Sequence, residues 1–155
     1  MKACQAAVLA VSLAAALTAG AACAADPQDV VQQLYAEPGL AFGGPGSQQV
    51  LSADLDGAIH TRAGRSLGPS LADFDYRYGA NQSEISGFML LPQIDNNQAK
   101  VVAVFKNFGK PESVDWTLCR LPNGDWRIAD ASSNTGPQAW DLRQILGLRP
   151  DQVRC

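Results

Sequence analysis

The segment that most constrains the fold is residues 114–130, which read VDWTLCRLPNGDWRIAD. Pro122-Asn123-Gly124 separates two stretches in which apolar and polar residues alternate, and each stretch contains a Trp. Asn-Gly between such stretches is the strongest short-range signal for a β-hairpin, because both residues tolerate positive φ. The sequence therefore predicts a two-stranded hairpin here, a feature of the fold that carries no chemistry of its own.

The first 25 residues have the composition of a secretory signal peptide. Lys2 supplies the positive start, residues 6–19 form an apolar core, and Cys23-Ala24-Ala25 fits the small-x-small cleavage rule. The core is shorter than the roughly 20 apolar residues that a membrane-spanning helix needs, and no later segment approaches that length. We therefore expect a periplasmic or secreted protein, with a signal peptide over 1–25, one domain over 26–155 and no integral membrane segment after cleavage.

Cys23 permits a second interpretation, in which a lipid on this residue tethers the same domain to a membrane. The residues before it are Gly20-Ala21-Ala22. Lipoprotein signals generally carry a Leu-like residue at the first of these positions, so soluble export is favoured over lipid anchoring.

Signal cleavage leaves two cysteines, Cys119 in the predicted hairpin and Cys155 at the C-terminus. An even pair in an oxidising compartment is most simply a disulfide. Two free thiols, or an intermolecular bridge through Cys155, are the alternatives. The sequence has no redox Cys-x-x-Cys motif and no zinc-ligand spacing, so neither a metal nor a cofactor is predicted.

The charge pattern narrows the class of partner. The formal net charge is −3, and the lysines and arginines are scattered rather than clustered. A mildly acidic domain of this kind argues against nucleic acid as the partner.

Hydrophobic periodicity divides the mature chain into helices and strands. Residues 26–37, 51–62 and 137–146 are typical of helices, and a weaker helical pattern covers 69–74. Period-two alternation begins at residue 85 and predicts strands at 85–94 and 99–108 before the two hairpin strands. The predicted fold class is α+β, with N-terminal helices packed on a curved four-stranded antiparallel meander and a C-terminal helix. Such a sheet often leaves a concave, partly apolar pocket.

Several segments occur in an order that resembles a known family. They read VVQQLY, LSADLDGAI, DFDYRYGANQ, KVVAVFKNFG, VDWTLCRLPNGDWRIADA and WDLRQIL. In this order they resemble the small exported bacterial proteins of domain-of-unknown-function family 3828. Those proteins look like members of the cone-shaped α+β superfamily of nuclear transport factor 2, scytalone dehydratase and ketosteroid isomerase. The resemblance covers nearly all of the mature chain.

The resemblance implies a fold but no reaction, because the family has no assigned activity. Many relatives bury an Asp after the Trp-Arg-Ile pattern, and Asp130 matches that position. Ala129 stands where relatives often carry a second acid, which weakens the idea of a two-carboxylate site. Related cone-shaped domains often pair through the open sheet, so a homodimer is one expectation.

Acidic and aromatic residues supply the candidate site. Asp73, Asp75 and Tyr76 lie in the densest polar and aromatic cluster. In the cone-shaped enzymes an Asp base works with Tyr or Asp donors inside an apolar pocket. The structural alternatives are a turn, for the two acids, and core packing, for the tryptophans. No catalytic residue is assigned, and the candidate ligand-binding residues are Asp130, Asp73, Asp75, Tyr76, Tyr35, Trp116 and Trp126.

Three functional hypotheses follow. The first is a non-enzymatic exported domain that binds a small molecule, a peptide or a protein through the concave face of its sheet. The second is an inhibitor or immunity-type protein-interaction module, and the third is an enzyme of the isomerase or dehydratase type. An enclosed pocket that holds Asp130 or Asp73 beside a Tyr favours the first or third hypothesis, whereas a flat exposed patch that includes Trp140 favours a protein partner.

Overall fold

The computed structural model describes residues 25–63, 74–136, 138–153 and 155. Within these residues five antiparallel strands form one open sheet in the order β1-β2-β3-β4-β5, which confirms the α+β class. The elements along the chain are α1 Pro27–Ala36, α2 Pro38–Ala41, a 3-10 turn Ser47–Gln49, α3 Ala53–Ala63, β1 Ile85–Asp95, β2 Gln98–Asn107, β3 Lys110–Arg120, β4 Trp126–Ser133, β5 Trp140–Asp141 and α4 Leu142–Ile145.

Helix α1 confirms the predicted first helix and covers one side of the sheet. Pro27 occupies its first position, where the missing N–H is no loss. Val30, Val31 and Leu34 are buried at helical spacing, and the helix contacts β1, β2 and β4. The core of the domain therefore lies between α1 and this side of the sheet, which we call the helix side.

Helix α3 confirms the second predicted helix and begins at the outer edge of β4. The chain before it pairs in parallel with that strand, because Ser52 N–H donates to the Ile128 carbonyl at 2.8 Å and Ile128 N–H donates to the Val50 carbonyl at 2.7 Å. Leu55 and Ile59 then bury the helix against the core. The weaker helical pattern at 69–74 lies outside the described residues except for its last position.

The hairpin predicted from residues 114–130 is present as β3 and β4. The Leu121 N–H donates to the Asp125 carbonyl at 2.7 Å, and Gly124 has a φ of 94°. This conformation is open to glycine and strained for other residues, which explains why Gly124 suits the turn.

Strand β2 is central, as predicted, but its two faces differ. Val101, Ala103 and Phe105 are buried on the helix side, whereas Val102 and Val104 on the opposite side are only partly buried. Apolar residues on both faces of the 99–108 segment are typical of a central strand, and the structure shows that only the helix side of β2 is fully covered. No described element covers the second face over β1 and β2, so we call it the open side.

The last predicted helix is wrong over most of its length. Residues 140–141 form β5, which pairs with Ser132 and Ser133 of β4, and only Leu142–Ile145 are helical. The exposed edge of β4 offers unpaired backbone groups, and pairing satisfies them better than a longer helix would. The Asp141 carboxylate then accepts the Gln144 N–H at 2.8 Å and begins α4.

Cys119 and Cys155 form a disulfide, with Cα atoms 6.0 Å apart. The bond joins the C-terminal tail to β3. Among the described residues no helix is both long and apolar enough to cross a membrane.

Replacing Cys155 by Ser is expected to lower the free energy of unfolding by about 3–4 kcal/mol, because the bond closes a long loop in the unfolded chain. Thermal unfolding under oxidising conditions measures the loss. Adding a reductant to the variant serves as the control, since it should cause no further decrease. If the parent protein and Cys155→Ser had equal melting temperatures under oxidising conditions, a stabilising role of the disulfide would be contradicted.

Candidate functional site

Three of the predicted site residues come together in the core on the helix side. Tyr35 from α1 meets Trp116 from β3 edge to face, with ring centroids 5.7 Å apart. Tyr76 meets the same Trp116 ring at 6.0 Å. Trp116 and Tyr76 are fully buried and Tyr35 is partly buried, so these three residues are neighbours in the core.

The polar atoms of this cluster bond to the protein itself. The Trp116 indole N–H donates to the Tyr35 hydroxyl oxygen at 3.3 Å, and that hydroxyl donates to the Arg77 carbonyl at 2.6 Å. The Tyr76 hydroxyl donates to the Ala41 carbonyl. Burial raises the pKa of both tyrosines above the ordinary value, because a phenolate would lose its hydration. Both phenols therefore stay neutral and act as internal hydrogen-bond groups.

Asp75 lies beside the cluster but is held by Arg77. The two side chains form a bidentate pair, with Nε–Oδ1 at 2.9 Å and Nη2–Oδ2 at 2.6 Å, and the Arg77 backbone N–H also donates to Asp75 at 3.0 Å. The guanidinium lies 5.3 Å from the centre of the Tyr78 ring. Burial would lower the pKa of Arg77, but the Asp75 hydrogen bonds outweigh it and the pKa is raised. A carboxylate engaged in this way supports the turn and is poorly placed to act as a base.

Of the two remaining candidates outside β4, only Trp126 is among the described residues, and it lies apart from the cluster. Trp126 is at the opposite end of the sheet, where its ring stacks with Arg120 at 5.6 Å beside the β3–β4 turn. Asp73 lies outside the described residues. The prediction that Asp73 contributes to a pocket stays a prediction.

Asp130 is on the other side of the sheet from Trp116. In the strand register, Trp116 pairs with Ala131 and Thr117 pairs with Asp130. Successive strand residues point to opposite faces, so Asp130 points away from the aromatic cluster. The register shifts at Ala129, which forms a bulge next to Asp130. The described structure therefore does not bring Asp130 together with Tyr35 or Tyr76.

The surroundings of Asp130 are unusual for a carboxylate. Its Oδ1 accepts the Ala131 N–H at 2.8 Å and the Arg143 N–H at 3.3 Å. Burial, and then the nearby Asp141 carboxylate, raise the pKa of Asp130 to about 6, although both hydrogen bonds oppose this change. Asp130 is thus a titratable group beside the β4 bulge. Its described hydrogen-bond partners are the backbone N–H groups of Ala131 and Arg143.

Arg143 is the main residue that sequence reasoning missed. Its side chain is only 2% exposed, and its guanidinium makes four hydrogen bonds, to the carbonyls of Ala129 (3.1 Å), Arg149 (2.9 Å) and Gln152 (2.7 Å) and to Asp54 Oδ2 (2.8 Å). The last partner is 89 residues away in the chain. No local pattern in WDLRQIL separates a buried arginine of this kind from a surface one.

Asp54 completes the buried ion pair. Burial would raise its pKa, but the hydrogen bonds from Arg143 and Ser52 outweigh that effect and hold the pKa below the ordinary value. Asp54 lies in the first turn of α3, where a carboxylate also suits the helix dipole. The pair thereby joins α3 to α4.

Sequence reasoning also missed the composition of the open side. Strand register places Met89 and Leu91 of β1 beside Val104 and Val102 of β2 on that side. Met89 is 58% exposed and Leu91 is 48% exposed, and Phe108 in the following turn is 56% exposed. The sheet thus has an exposed apolar surface, which we call the β1 patch (Met89, Leu91, Val102 and Val104). The exposed patch around Trp140 that would favour a protein partner is not found among the described residues, because Trp140 packs half-buried against Phe74.

A polar cleft of about 470 Å³ lies between two turns of the sheet, lined by Asn97, Arg120, Leu121, Pro122, Asn123 and Gly124. Arg120 is the one cation among these lining residues, and its Nε donates to the Gly124 carbonyl at 3.1 Å. The cleft contains none of the predicted site residues. Within the described ranges no group of three or more His, Cys, Asp or Glu side chains is arranged to hold a metal ion.

Comparisons with protein-family models, with curated proteins and with solved structures gave no match. The resemblance to family 3828 and to the cone-shaped superfamily therefore stays a prediction.

Replacing Arg143 by Met is expected to lower the free energy of unfolding by about 3–5 kcal/mol, because Asp54 loses its cation while it remains partly buried. Three backbone carbonyls also lose a donor. Chemical denaturation measures the change. Arg149→Met is the matched control, since that side chain is exposed and its loss should cost no more than about 0.5 kcal/mol. Equal losses in the two variants would contradict the role of Arg143.

The raised pKa of Asp130 predicts a specific pH dependence of the stability of the fold. Its folded pKa of about 6 exceeds the ordinary 3.8, so the folded chain binds the extra proton between these values. The stability from this proton is present at low pH and is lost as pH rises through about 6. The Asn side chain of Asp130→Asn cannot ionise. The melting temperature of this variant minus that of the parent protein should therefore increase as the pH is raised from about 4 to about 7. Asp151→Asn controls for the general loss of a negative charge. If the melting-temperature difference between Asp130→Asn and the parent protein did not change with pH, this prediction would be contradicted.

Proposed function

We propose that this chain is an exported, non-enzymatic binding domain that docks another protein on the open side of its sheet. The observation that carries the proposal is the exposure of large apolar side chains on one strand. Met89 and Leu91 of β1 lie on the open side and are 58% and 48% exposed, and Val104 and Val102 beside them are only partly buried. Exposed apolar groups concentrated in one area, unlike isolated ones, mark interaction sites.

The shape of β1 favours docking on its face over the addition of a strand at its edge. β1 is the edge strand of the sheet, but its register shifts between Ser86 and Met89 and it contains Pro92. A bulge and a proline both hinder a further strand from pairing with an edge. Side chains of the β1 patch, rather than backbone hydrogen bonds, then provide the contact.

The acidic and aromatic candidates support a binding domain over an isomerase or dehydratase. Such an enzyme needs a carboxylate base next to neutral donors in one pocket. Asp75 is engaged by Arg77, and Asp130 points to the other side of the sheet from Tyr35.

Export is supported by the composition of residues 1–25 alone. An inhibitor or immunity-type protein is one member of the proposed class.

A small apolar ligand on the helix side is the second candidate function, and one observation favours it. Phe88 packs on Tyr35 with ring centroids 4.7 Å apart and is 37% exposed. Tyr78 meets the same Tyr35 ring at 5.5 Å. This aromatic row reaches the surface at Phe88, where a ligand would extend the stacking. Phe88→Ala would then abolish uptake of an apolar fluorescent probe without affecting docking on the β1 patch.

A photo-cross-linking amino acid at position 91 tests the proposed function. In cells that export the chain, we expect a discrete covalent adduct, because Leu91 lies in the β1 patch. The same amino acid at position 144 of α4 is the control, since Gln144 is also exposed. Mass spectrometry of the adduct identifies the cross-linked protein and segment. Absence of an adduct at 91, or identical adducts at both positions, would show that the β1 patch is not a docking surface.

A further inference from the structure

We infer that the polar cleft between the β1–β2 turn and the β3–β4 turn is a binding site for a carboxylate group, which the guanidinium of Arg120 holds. The cleft has a volume of about 470 Å³, within the range of pockets that bind small ligands. Arg120 pairs with Trp126 across β3 and β4, so both side chains lie on the helix side of the sheet. The site is therefore separate from the β1 patch, and the inference goes beyond the proposed function.

The guanidinium of Arg120 is held in place by two contacts. Its Nε donates to the Gly124 carbonyl at 3.1 Å, and its Cζ lies 5.6 Å from the centre of the Trp126 ring. Trp126 is only 5% exposed, so the ring is a fixed support for the cation. These contacts restrict a long side chain before any ligand binds, and less rotamer freedom is then lost on binding.

The two terminal nitrogens of Arg120 are free to bind a ligand. Nη1 and Nη2 make no hydrogen bond or ion pair with any residue that the structure describes. Asp125, the first acidic residue after Arg120 in the chain, is already bound by the Asn123 amide at 3.0 Å and by Arg127 at 3.5 Å. The cleft is thus lined by a cation that has donors to offer and no carboxylate partner among the described residues.

Asn97 brings a second polar side chain to the cleft. The Arg120 N–H donates to the Asn97 carbonyl at 2.9 Å, which joins the two turns at this point. The side-chain amide of Asn97 makes no hydrogen bond within the described part of the chain. An amide can donate to an anion, and a guanidinium can donate to both oxygens of a carboxylate. The cleft therefore supplies a cationic fork and a neutral donor on walls that the turns fix.

The donors of the cleft suit a carboxylate better than a phosphate. The backbone N–H groups of Arg120, Leu121 and Gly124 already donate within the turns, and Pro122 has none. Phosphate sites generally use several backbone N–H groups, often at the start of a helix, and none of the lining residues belongs to a helix. One planar fork matches the two oxygens of a carboxylate. A small organic acid and the Asp or Glu side chain of a peptide both carry this group.

Nuclear magnetic resonance titration of the purified mature chain tests the site, with glutarate as the first probe. We expect saturable shifts in the backbone N–H resonances of residues 97, 120, 121, 123 and 124 and in the Arg120 Nε–H resonance. Arg120→Lys keeps the charge but removes the fork, so the affinity for glutarate should fall by about tenfold. Arg149→Lys, on an exposed side chain of the tail, is the matched control and should leave the affinity unchanged.

A carboxylate introduced into the cleft should compete with the probe. Asn97→Asp places one on the cleft wall, where it can pair with Arg120, so the affinity for glutarate should fall by at least about tenfold. Asn96→Asp adds the same charge one residue earlier, outside the lining. At physiological salt this control should lower the affinity by less than about twofold, because exposed charges are screened. Equal losses in the two variants would indicate general repulsion and overturn the inference.

Further probes define the chemistry and the source of the ligand. Glutaramide, the neutral diamide of the same length, should cause no shifts, and inorganic phosphate should bind more weakly than glutarate. A pentapeptide with blocked ends and a central Glu distinguishes the two sources: tighter binding than glutarate assigns the carboxylate to a protein, and weaker binding assigns it to a small acid. Absence of shifts with both probes, equal binding of phosphate, or glutarate binding that survives Arg120→Lys overturns the inference. None of these results changes the cross-linking test at position 91.

Discussion

The buried guanidinium of Arg143 holds together parts of the domain that are distant in sequence. It binds the carbonyl of Ala129 in the β4 bulge, the carboxylate of Asp54 in α3 and two carbonyls of the C-terminal tail. Ala129 lies between the two places where other segments pair with the outer edge of β4, Leu51 at Ile128 and β5 at Ser132 and Ser133. Backbone groups buried in such a gap need donors, and a five-donor side chain supplies them. The bulge next to Asp130 depends on the same contact.

The two sides of the sheet have different physical roles. On the helix side, α1 and the aromatic residues around Trp116 form a packed core in which each buried hydroxyl is hydrogen-bonded. On the open side, β1 and β2 expose methionine, leucine and valine. Burial of polar groups with their partners stabilises the fold, whereas exposed apolar area leaves free energy available for association. This contrast is why the proposed function belongs to the open side.

Local sequence patterns predicted the elements that local interactions control. Asn123-Gly124 predicted the β3–β4 turn, and helical periodicity predicted α1 and α3 because each buries one apolar stripe. The C-terminal segment was mispredicted because the free edge of β4 competes with helix formation for the same residues. Of the candidate site, Tyr35, Tyr76 and Trp116 do come together, but Asp130 does not join them. A strand bulge reassigns side chains between faces, and no composition rule predicts its position.

The sequence alone determined the fold class, the leader-like start, the hairpin and the two cysteines available for a bond. These features depend on residues close together in the chain or on simple counting. The tertiary structure decided which face of the sheet is filled, which carboxylate meets a cation and which apolar residues remain exposed. Those outcomes depend on contacts between distant segments, such as Asp54 with Arg143, whose free energy exists only once the chain has folded. The function we propose belongs to this second class, because exposure of β1 is a property of the assembled sheet.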